Sequence, residues 1–404
     1  MTAKGLRVAM IGPFGLGPKA TVRERALPLA RALVARGHRV TVTMPPWHTP
    51  EEAGRAWEEE GVRLEYVPLG PRVPLLRHAA IAGRLAARAL AFRPDVVHVF
   101  KPKAHAGLAC AALWALRRLS HRCAPVVVDE DDWEGPGGWN DLEPYPAAAR
   151  ALFAWQERWG LGHADGVTVA SRALETLVWA LGVPPGIVHY LPNGAAPAAH
   201  GDGARVRRAL GLGNDPVVLL VTRFFEYDVA RVVEAFGRVR GRCPGARLLV
   251  VGEGLYPKDE ACFCRLVEEA GLGAAVVRAG WVPLERLPDY LAAGDLAIYP
   301  FDDTLVNRTK CSVKLAGLLA AGVPVVSEAV GQNAAYIADG RTGLLTPSGD
   351  AAALAEACLH LIDDAGLRVR LGRAAAVEMS TTYAWDTLAE GVLDLYARVL
   401  RRRG

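Results

Sequence analysis

The stretch from Asp295 to Val326, DLAIYPFDDTLVNRTKCSVKLAGLLAAGVPVV, predicts a strand, a loop, a helix and a second strand. LAIYP is apolar and β-prone, and VPVV has the pattern of a short buried strand. Ser312 is a good N-cap for the helix VKLAGLLAA, and Gly322 is a good residue to end it. This order of elements predicts a parallel α/β unit.

Three cations lie just before and inside the first turn of this helix: Arg308, Lys310 and Lys314. They meet unpaired backbone N–H groups and the positive end of the helix dipole. The combination predicts an anion site, most simply for a phosphate or a pyrophosphate. A capped surface helix with solvated charges is the alternative, because each of these features is common.

The composition excludes several classes of protein. A length of 404 residues, 51% hydrophobic and 22% charged, is typical of a soluble protein with two or three domains. The net charge of +4 is small and no basic run interleaves with aromatics, so we expect no nucleic-acid partner. Seven scattered cysteines have neither a metal-ligand spacing nor a disulfide framework. We expect a cytoplasmic protein, soluble or peripheral on the inner face of the membrane.

The N-terminal half predicts repeated α/β units, with strands at RVAMIG, HRVTVTMP, GVRLEYVPLG, PDVVHVF and APVVV. The first loop, Gly12 to Thr21, has Gly15 and Gly17 where backbone could approach a ligand. It lacks the third glycine of a dinucleotide fingerprint, so a tight turn is the alternative.

Polar side chains follow two of these strands, where open α/β sheets place their chemistry. The first group is His98 within PDVVHVF and, after it, Lys101, Lys103 and His105. The second group follows APVVV and comprises Asp129, Glu130, Asp131 and Asp132. Crowding raises the pKa of some of these carboxyls unless a cation or a hydroxyl-rich ligand is present. We favour hydrogen bonds to substrate hydroxyls, and a divalent metal held by DEDD or an ordinary acidic loop stays open.

A helix between Pro71 and Phe92 is predicted to carry Arg77, Arg84 and Arg88 on one face, beside an apolar group: Leu75, Leu76, Ile81 and Leu85. A basic stripe with apolar neighbours could rest on an anionic membrane. A solvated helix face is the alternative.

The C-terminal half begins after Ala195 to Asp215, which is rich in Ala, Gly and Pro and is typical of a linker. PVVLLVTRFF predicts a strand with Arg223 at its end. VGQNAAYIADG offers a second helix N-terminus at Gly331 to Asn333. Two consecutive α/β units with polar strand ends predict a cleft between domains, where ligands bind.

The assembled motifs resemble the retaining glycosyltransferases of the GT-B fold, family 4-like with a group 1 domain, over nearly the whole length. RGHRVTV, PDVVHV, ADGVTVAS, YLPNGA, VVGEG and KLAGLLAAGVPVV carry the resemblance. It implies two Rossmann-like, doubly wound α/β domains facing across a cleft. Residues 1–195 would be the acceptor domain, with helix 384–404 packing back on it, and residues 196–383 the nucleotide-sugar domain.

The resemblance also implies roles for particular residues, in a transfer that retains the anomeric configuration and needs no metal or other cofactor. The catalytic group would comprise Arg223, Lys310, Lys314, His105 and His98. Donor contacts would come from Gly15, Gly17, Glu253, Val282, Arg308, Ser312, Gly331, Gln332 and Asn333. The acceptor, a glycan or a lipid-linked molecule, would meet Lys19, Lys101, Lys103, Asp131, Asp132 and Trp133.

The sequence departs from the family at two positions where members usually carry glutamates eight positions apart. Thr309 stands at the first and Gly317 at the second, ribose-binding position. A lysine is also missing at the spacing expected after Arg223, where Tyr227 and Asp228 occur, so Lys310 and Lys314 could supply the cation.

These departures leave three hypotheses open. The first is an active retaining glycosyltransferase. The second is a catalytically silent GT-B protein that binds a sugar nucleotide or glycan as a partner, and the third is a sugar-nucleotide epimerase. The polar clusters at several strand ends favour the first.

Overall fold

The computed structural model describes residues 5–17, 21–71, 73–119, 123–195 and 199–402. It divides into two compact units. The N-terminal unit comprises Met1–Gly194, Thr309–Cys311 and Trp385–Gly404. The C-terminal unit comprises Ala195–Arg308 and Ser312–Ala384. Within the described ranges no helix is both long and apolar enough to cross a membrane.

The N-terminal unit is built on an eight-stranded sheet in the order β3-β4-β2-β1-β5-β6-β7-β8. Its strands are β1 (Arg7–Ile11), β2 (Arg39–Met44), β3 (Ala56–Glu59), β4 (Val62–Tyr66), β5 (Val96–Phe100), β6 (Val126–Glu130), β7 (Gly166–Val169) and β8 (Val188–Tyr190). The pairs are parallel except for β3, which runs antiparallel to β4 at the edge. Sequence analysis did not predict β3, because an amphipathic edge strand is short and polar.

Helices cover this sheet in the order expected of α/β units. They are α1 (Leu27–Ala35), α2 (Pro74–Ala91), α3 (Ala104–Leu119), α4 (Trp139–Leu142), α5 (Ala147–His163) and α6 (Arg172–Ala180). A π-helical turn, Val22–Ala26, precedes α1. Such turns occur frequently at functional sites and shift the direction of side chains.

The C-terminal unit has a parallel six-stranded sheet in the order β11-β10-β9-β12-β13-β14. Its strands are β9 (Val217–Val221), β10 (Arg247–Val251), β11 (Val276–Gly280), β12 (Leu296–Tyr299), β13 (Val325–Glu328) and β14 (Leu344–Thr346). Each strand is short and mostly apolar, as expected for a sheet that helices cover on both faces.

The helices that follow in the chain are α7 (Gly203–Ala209), α8 (Val229–Arg242), α9 (Pro257–Glu269), α10 (Leu287–Leu291), α11 (Leu305–Thr309), α12 (Val313–Ala320), α13 (Asn333–Tyr336), α14 (Ala351–Asp363) and α15 (Ala365–Thr381). Two of them correct the sequence analysis. Helix α7 lies inside the segment predicted as a linker, where Asp202 caps it by accepting from Arg205 N. Helix α11 lies in the predicted loop after β12.

The stretch from Asp295 to Val326 folds largely as predicted. Ser312 caps α12 by accepting a hydrogen bond from Leu315 N. Gly322 follows the helix with a φ of +72°, the left-handed conformation that glycine adopts without strain. β12 and β13 then pair in parallel, which completes the predicted α/β unit.

The last helix, α16 (Trp385–Arg401), belongs to the N-terminal unit. Its buried face joins the core of that unit through Trp385, Ala389, Val392, Leu395, Tyr396 and Val399. The C-terminal segment of the chain therefore completes the fold of the first domain.

Both sheets reverse their strand order once, between β1 and β5 and between β9 and β12. In a doubly wound sheet the loops on either side of this reversal diverge, and a crevice opens at the carboxyl ends of the two strands. The loops after these strands are therefore where each unit can bind a ligand.

A buried ion pair lies at the carboxyl end of β6 in the N-terminal unit. Arg25, on the π-helical turn, donates to both carboxylate oxygens of Asp129 over 2.6 Å each. Its other terminal nitrogen donates to Asn193 Oδ1 over 3.2 Å. Burial alone would lower the pKa of Arg25, but the Asp129 carboxylate holds it above its ordinary value. The arginine therefore stays charged in the core.

The same carboxylate begins a chain of hydrogen bonds to the C-terminal helix. Thr168 Oγ1 donates to Asp129 over 2.5 Å, and His98 Nε2 lies 3.1 Å from Thr168 Oγ1. His98 Nδ1 lies 2.7 Å from the Tyr396 hydroxyl. Because the threonine proton goes to Asp129, His98 must donate from Nε2 and accept from Tyr396 at Nδ1. Burial lowers the pKa of His98 to about 3, which agrees with this neutral form.

We predict that Arg25→Met destabilises the protein by about 3–5 kcal/mol, because Asp129 would keep a buried charge without a partner. Chemical denaturation followed by circular dichroism measures this change. Arg25→Met combined with Asp129→Asn should recover part of the loss, since no charge is then buried. Arg23→Met is the matched control, because Arg23 is exposed and should change stability by less than about 0.5 kcal/mol. An Arg25 variant as stable as the control would contradict the argument.

Candidate functional site

The turn after β9 presents Arg223 to solvent. Thr222 Oγ1 accepts from Phe224 N over 2.8 Å and lies 2.7 Å from the Tyr227 hydroxyl. Phe224 has a φ of +61°, which is unusual for a residue with a side chain. The Arg223 guanidinium lies 5.3 Å from the centre of the Phe225 ring. Tight local bonding therefore points Arg223 outward at the strand end.

Glu226 and Lys314 form the central contact of the C-terminal unit. Lys314 Nζ donates to Glu226 Oε1 over 2.8 Å. Glu226 is buried, whereas the side chain of Lys314 is 24% exposed. The carboxylate thus fixes a partly exposed cation in the first turn of α12, beside the end of β9. That Lys314 supplies the cation missing after Arg223 stays a prediction.

Two hydroxyl groups complete this cluster. The Tyr299 hydroxyl at the end of β12 is hydrogen-bonded to Ser312 Oγ. Burial raises the pKa of Tyr299 well above its ordinary value, Glu226 raises it further and Arg223 opposes the rise. Arg223 therefore lies within electrostatic reach of the same hydroxyl groups. A gap of about 10 Å³, roughly one water, lies beside Glu226, Tyr299 and Lys314.

A second carboxylate supports the loop after β12. Glu328 Oε2 accepts from Phe301 N over 2.7 Å, and Glu328 Oε1 accepts from Gly349 N over 2.7 Å. Arg231 on α8 donates to the same carboxylate over 3.0 Å and to Asp302 over 2.6 Å. Burial raises the pKa of Glu328, while these donors oppose the rise. The arrangement holds the loop that leads to α12.

Some of the predicted donor contacts have partners within the protein. Arg308 donates to Asp303 over 2.7 Å at the surface, so its charge already has a partner of opposite sign. A Cβ on Gly331 would lie 2.5 Å from the Arg308 carbonyl oxygen, which explains the glycine by close packing. Asn333 Nδ2 donates to Ser327 Oγ over 3.1 Å, and Gln332 is buried. The predicted helix N-terminus there begins only a four-residue helix, α13.

The segment Thr309–Cys311, which contains Lys310, belongs to the N-terminal unit, and Lys314 belongs to the C-terminal unit. Lys310 Nζ lies 5.9 Å from the centre of the Trp139 ring. Thr309 is fully buried, and its carbonyl accepts from Ser171 Oγ over 2.7 Å. The prediction that Lys310 and Lys314 form one anion site stays a prediction.

Two predicted donor residues remain: Glu253 lies just after β10 and Val282 just after β11. Glu253 Oε1 accepts from Trp281 N over 3.2 Å, and Val282 follows Trp281 in the chain. The indole of Trp281 is 67% exposed. A Cβ at Gly317 would meet no atom within 4 Å, so a larger side chain has room there.

In the N-terminal unit, Lys101 lies among three carboxylates beyond β5 and β6. Its Nζ is 3.3 Å from Asp131, 3.0 Å from Asp132 and 3.1 Å from Glu134. Lys103 Nζ lies 2.6 Å from the other oxygen of Glu134. Burial lowers the pKa of Lys101, but the carboxylates raise it well above its ordinary value. The lysine is thus the cation that this crowding of carboxylates requires.

Two glutamates lie deeper behind this cluster. Glu157 Oε1 accepts from Glu134 N over 2.6 Å, and burial raises the pKa of Glu157 to about 8. Glu130 is fully buried, and among the described atoms neither of its carboxyl oxygens has a hydrogen-bond partner. Burial raises the pKa of Glu130 well above its ordinary value, and Glu157 adds to the rise. Both groups therefore favour the protonated form near neutral pH.

Several predicted acceptor residues have partners within the protein. Trp133 is buried and donates from its indole to Pro136 O over 3.0 Å, so it offers no surface to an acceptor. Asp131 accepts from Thr21 Oγ1 over 2.7 Å. Asp129, at the end of β6, binds Arg25 rather than a metal or a sugar. Lys19 lies outside the described residues.

The glycine loop packs against β4. A Cβ on Gly15 would lie 2.8 Å from the Tyr66 ring, and Leu16 N donates to the Tyr66 hydroxyl over 3.2 Å. Gly17 has only ordinary contacts, because its Cβ would lie 3.9 Å from His48. Packing therefore explains Gly15, and the predicted donor contact of both glycines stays a prediction.

The two predicted catalytic histidines differ in environment. His98 has no exposed surface and belongs to the chain of hydrogen bonds that ends at Tyr396, so a substrate cannot reach it here. His105 opens α3, and its Nε2 lies 2.9 Å from His78 Nδ1. Burial, His78 and Arg77 lower the pKa of His105 to about 4, so it is neutral at pH 7.

The basic stripe on α2 has fewer apolar neighbours than predicted. Ile81 and Leu85 are buried in the core, Leu76 is exposed, and the side chain of Leu75 lies outside the described part. Each arginine has a partner. The Arg77 guanidinium lies 5.0 Å from the centre of the Trp47 ring, Arg84 donates to Pro68 O over 3.1 Å, and Arg88 forms an ion pair with Glu65 over 2.9 Å. A solvated helix face accounts for this stripe.

Sequence analysis missed Glu226, Glu134, Glu157 and Arg25, which hold the predicted cations and carboxylates in place. Only Glu226 gave a signal, because it directly follows the end of a strand in TRFFEYD. In the ranges described, no group of three or more His, Cys, Asp or Glu side chains is arranged to hold a metal ion.

Two family patterns match most of the chain. The pattern described as Glycosyl transferase 4-like domain matches residues 21–194, and that described as Glycosyl transferases group 1 matches residues 215–364. A D-inositol 3-phosphate glycosyltransferase of Acidothermus cellulolyticus is 32% identical over 263 residues, which cover 60% of this chain and 56% of that relative.

Two further proteins are similar over nearly their whole length. A GDP-mannose-dependent alpha-(1-6)-phosphatidylinositol monomannoside mannosyltransferase of Mycolicibacterium smegmatis is 26% identical over 381 residues, 90% of this chain and 91% of that protein. The solved structure of a sucrose-phosphate synthase from Thermosynechococcus elongatus matches with a TM-score of 0.75, at 21% identity, over 98% of this chain and 100% of that chain. At this identity the structural likeness shows the fold.

We predict that Glu157→Gln makes the stability of the folded protein less dependent on pH between about pH 5 and pH 8. The raised pKa means that the folded state binds a proton which the unfolded state releases near its ordinary pKa of about 4.3. The stability that Glu157 contributes is therefore fully present at low pH and is lost as the pH rises to about 8. Glutamine cannot ionise and keeps the acceptor for Glu134 N. Melting temperatures across this pH range measure the effect.

Glu356→Gln serves as the control, because Glu356 is an exposed glutamate on α14 whose side chain is 69% accessible. The control should follow the wild-type pH profile. Equal slopes for the wild type and Glu157→Gln would show that Glu157 is ionised in the folded protein above pH 5.

Proposed function

The chain belongs to the glycosyltransferases of the GT-B fold with a family 4-like and a group 1 domain, and we propose that it transfers a sugar with retention of anomeric configuration. The donor is a nucleotide sugar. The acceptor is a hydroxyl group of a glycan or of a lipid-linked molecule. Side-chain cations, rather than a metal ion or another cofactor, stabilise the leaving diphosphate.

One observation carries this proposal: the cation of Lys314, fixed by Glu226 in the first turn of α12 at the reversal of the second sheet. A diphosphate at this position would meet the Lys314 ammonium group, the exposed Arg223 and the N-terminal N–H groups of α12. These groups are in place before the ligand arrives, so little energy is spent in orienting them.

The reaction breaks the bond between the sugar C1 and the diphosphate oxygen and forms a bond between C1 and the acceptor oxygen. The negative charge that develops on the leaving diphosphate is stabilised by Lys314 and Arg223. The acceptor proton passes to a diphosphate oxygen, which becomes more basic as the bond breaks. Retention follows when attack and departure occur on the same face of the sugar.

The acceptor is proposed to bind at the Lys101 cluster of the N-terminal unit. Carboxylates accept hydrogen bonds from sugar and polyol hydroxyl groups, and Asp132 is the most exposed of those around Lys101, at 24%. Two relatives have names that specify inositol-containing acceptors, and one name specifies GDP-mannose as donor. A hydroxyl-rich acceptor attached to a lipid fits the same chemistry.

A catalytically silent glycan-binding protein is the second candidate, because Thr309 and Gly317 stand where the family carries glutamates. Transfer or donor hydrolysis with any nucleotide sugar eliminates this candidate. The anomeric coupling of the product in NMR spectra then reports directly on retention. An inverted product would overturn the proposed stereochemistry but leave the transferase intact.

We predict that one nucleoside diphosphate raises the melting temperature, and that Lys314→Ala weakens its binding about 10-fold to 100-fold. Loss of a charge-assisted hydrogen bond, worth about 1.5–3 kcal/mol, gives this range. A thermal-shift panel of UDP, GDP, ADP, CMP and dTDP with their sugar conjugates identifies the base. Isothermal titration calorimetry on the folded proteins then measures the affinity.

Lys258→Ala is the matched control, because Lys258 is an exposed lysine on α9 and should leave the affinity unchanged. A folded Lys314→Ala protein that binds the nucleotide as the wild type does would refute the donor site. A wild type that binds no nucleotide would favour the silent candidate.

We predict that Gly317→Glu tightens nucleotide binding relative to Gly317→Ala. Both changes replace a glycine inside α12 and should raise stability by about 0.5–1 kcal/mol through helix propensity. Both side chains fit, since the space beside Gly317 is open. Only the glutamate restores an acceptor for the ribose hydroxyl groups. Equal affinities of the two variants in titration calorimetry would show that this position does not contact the ribose.

A further inference from the structure

Helix α5 has an inverted pattern of burial. Its inner face buries the polar Gln156 and Glu157 beside Gly160 and Leu161, whereas Leu152 and Trp155 on its outer face are 41% and 48% exposed. A surface helix in water normally turns its apolar stripe to the core and its polar residues outward. The outer face of α5 therefore matches an apolar environment better than it matches water.

The exposed side of α5 continues onto α3 as an array of rings. Trp155 and Trp159 stack with centroids 5.8 Å apart, and Trp159 stacks on His163 at 4.4 Å. Trp114 of α3 meets Trp159 edge to face at 5.4 Å. We call Leu152, Trp155, Trp159, His163 and Trp114 the tryptophan face. Indole rings of this kind prefer the boundary between water and lipid, where one edge stays hydrated.

The charges around the tryptophan face have one sign. Arg118 lies over the Trp114 ring at 4.6 Å, and Arg158 is exposed one turn beyond Trp155. Helices α3 and α5 together contain a single acidic residue, Glu157, and it is buried. The nearby Asp165 is held by Arg117 and by Val126 N. In a chain with 43 acidic residues, this surface is selectively free of exposed carboxylates.

We propose that the tryptophan face docks on a lipid bilayer with anionic headgroups. The rings and Leu152 enter the interface, while Arg118 and Arg158 meet the phosphates, as interfacial helices do. The sequence left open a membrane contact on the helix that is now α2, and the proposal assigns the contact to α5 and α3. This docking does not depend on the proposed transferase activity.

The location of the face adds a consequence that does rest on the proposed function. Glu157 and Gln156, on the inner side of α5, bind Glu134 N and the backbone of Ala104, next to the Lys101 cluster. One helix, about 10 Å across, thus separates the tryptophan face from the proposed acceptor site. The acceptor class that this placement favours is a lipid-linked glycan or polyol.

Flotation of the full-length protein with vesicles tests the docking. We expect binding to phosphatidylcholine vesicles that contain phosphatidylglycerol and weak binding to pure phosphatidylcholine. Trp155→Ser should weaken binding about tenfold through lost apolar contact, and Arg118→Gln and Arg158→Gln about fivefold each. Trp179→Ser is the matched control, because Trp179 on α6 is similarly exposed, at 42%, but lies outside the face.

The outcomes separate the alternatives. Vesicle binding that Trp155→Ser removes and Trp179→Ser keeps supports the proposal. Absence of binding, or equal binding by the two variants, overturns it. Sedimentation that shows a dimer in the wild type and a monomer in Trp155→Ser, without vesicle binding, would assign the face to a second copy of the chain. The variants should melt as the wild type does, since the replaced side chains are exposed.

Discussion

The pairing of Arg25 with Asp129 is the interaction on which the N-terminal unit depends. A charge without water must have a partner of opposite sign and further hydrogen bonds, or it destabilises the fold. Here the carboxylate accepts from Nε and one terminal nitrogen of the guanidinium group and from the Thr168 hydroxyl. His98 then links Thr168 to Tyr396. This ion pair and its chain of hydrogen bonds connect segments that are far apart in sequence, including the last helix.

The same rule governs the strand ends of both units. Lys101 lies among the carboxylates beyond β6, and Lys314 lies against Glu226 beyond β9. Residues that carry the chemistry are thus oriented by residues that carry the opposite charge. Lys314 keeps part of its surface exposed, so an arriving diphosphate can share the lysine with Glu226. Lys101 is more enclosed, and its role is to hold Asp132 in position.

The order of strands and helices could be predicted from the sequence because local sequence patterns determine it. The apolar strands, the Ser312 cap and the glycine at 322 fix the α/β unit, and alternation of such units implies doubly wound sheets. The partners of the charged groups could not be predicted in this way. Glu226 and Lys314 are 88 positions apart, and their contact arises only when β9 and β12 become neighbours in the sheet.

Helix α5 shows why the helical period of a sequence does not by itself reveal which side of a helix is buried. Its polar positions are buried because they support the carboxylate cluster, which needs hydrogen-bond partners away from water. The outer side carries Leu152 and Trp155 together with Arg158, and the inner side buries Leu161 beside the polar pair, so each side of the helix mixes apolar and polar residues. Only the structure tells which face is inside. Moving Gln156 and Glu157 to the outer face would leave the backbone groups of Glu134 and Ala104 without these partners, so the polar pair must stay inside.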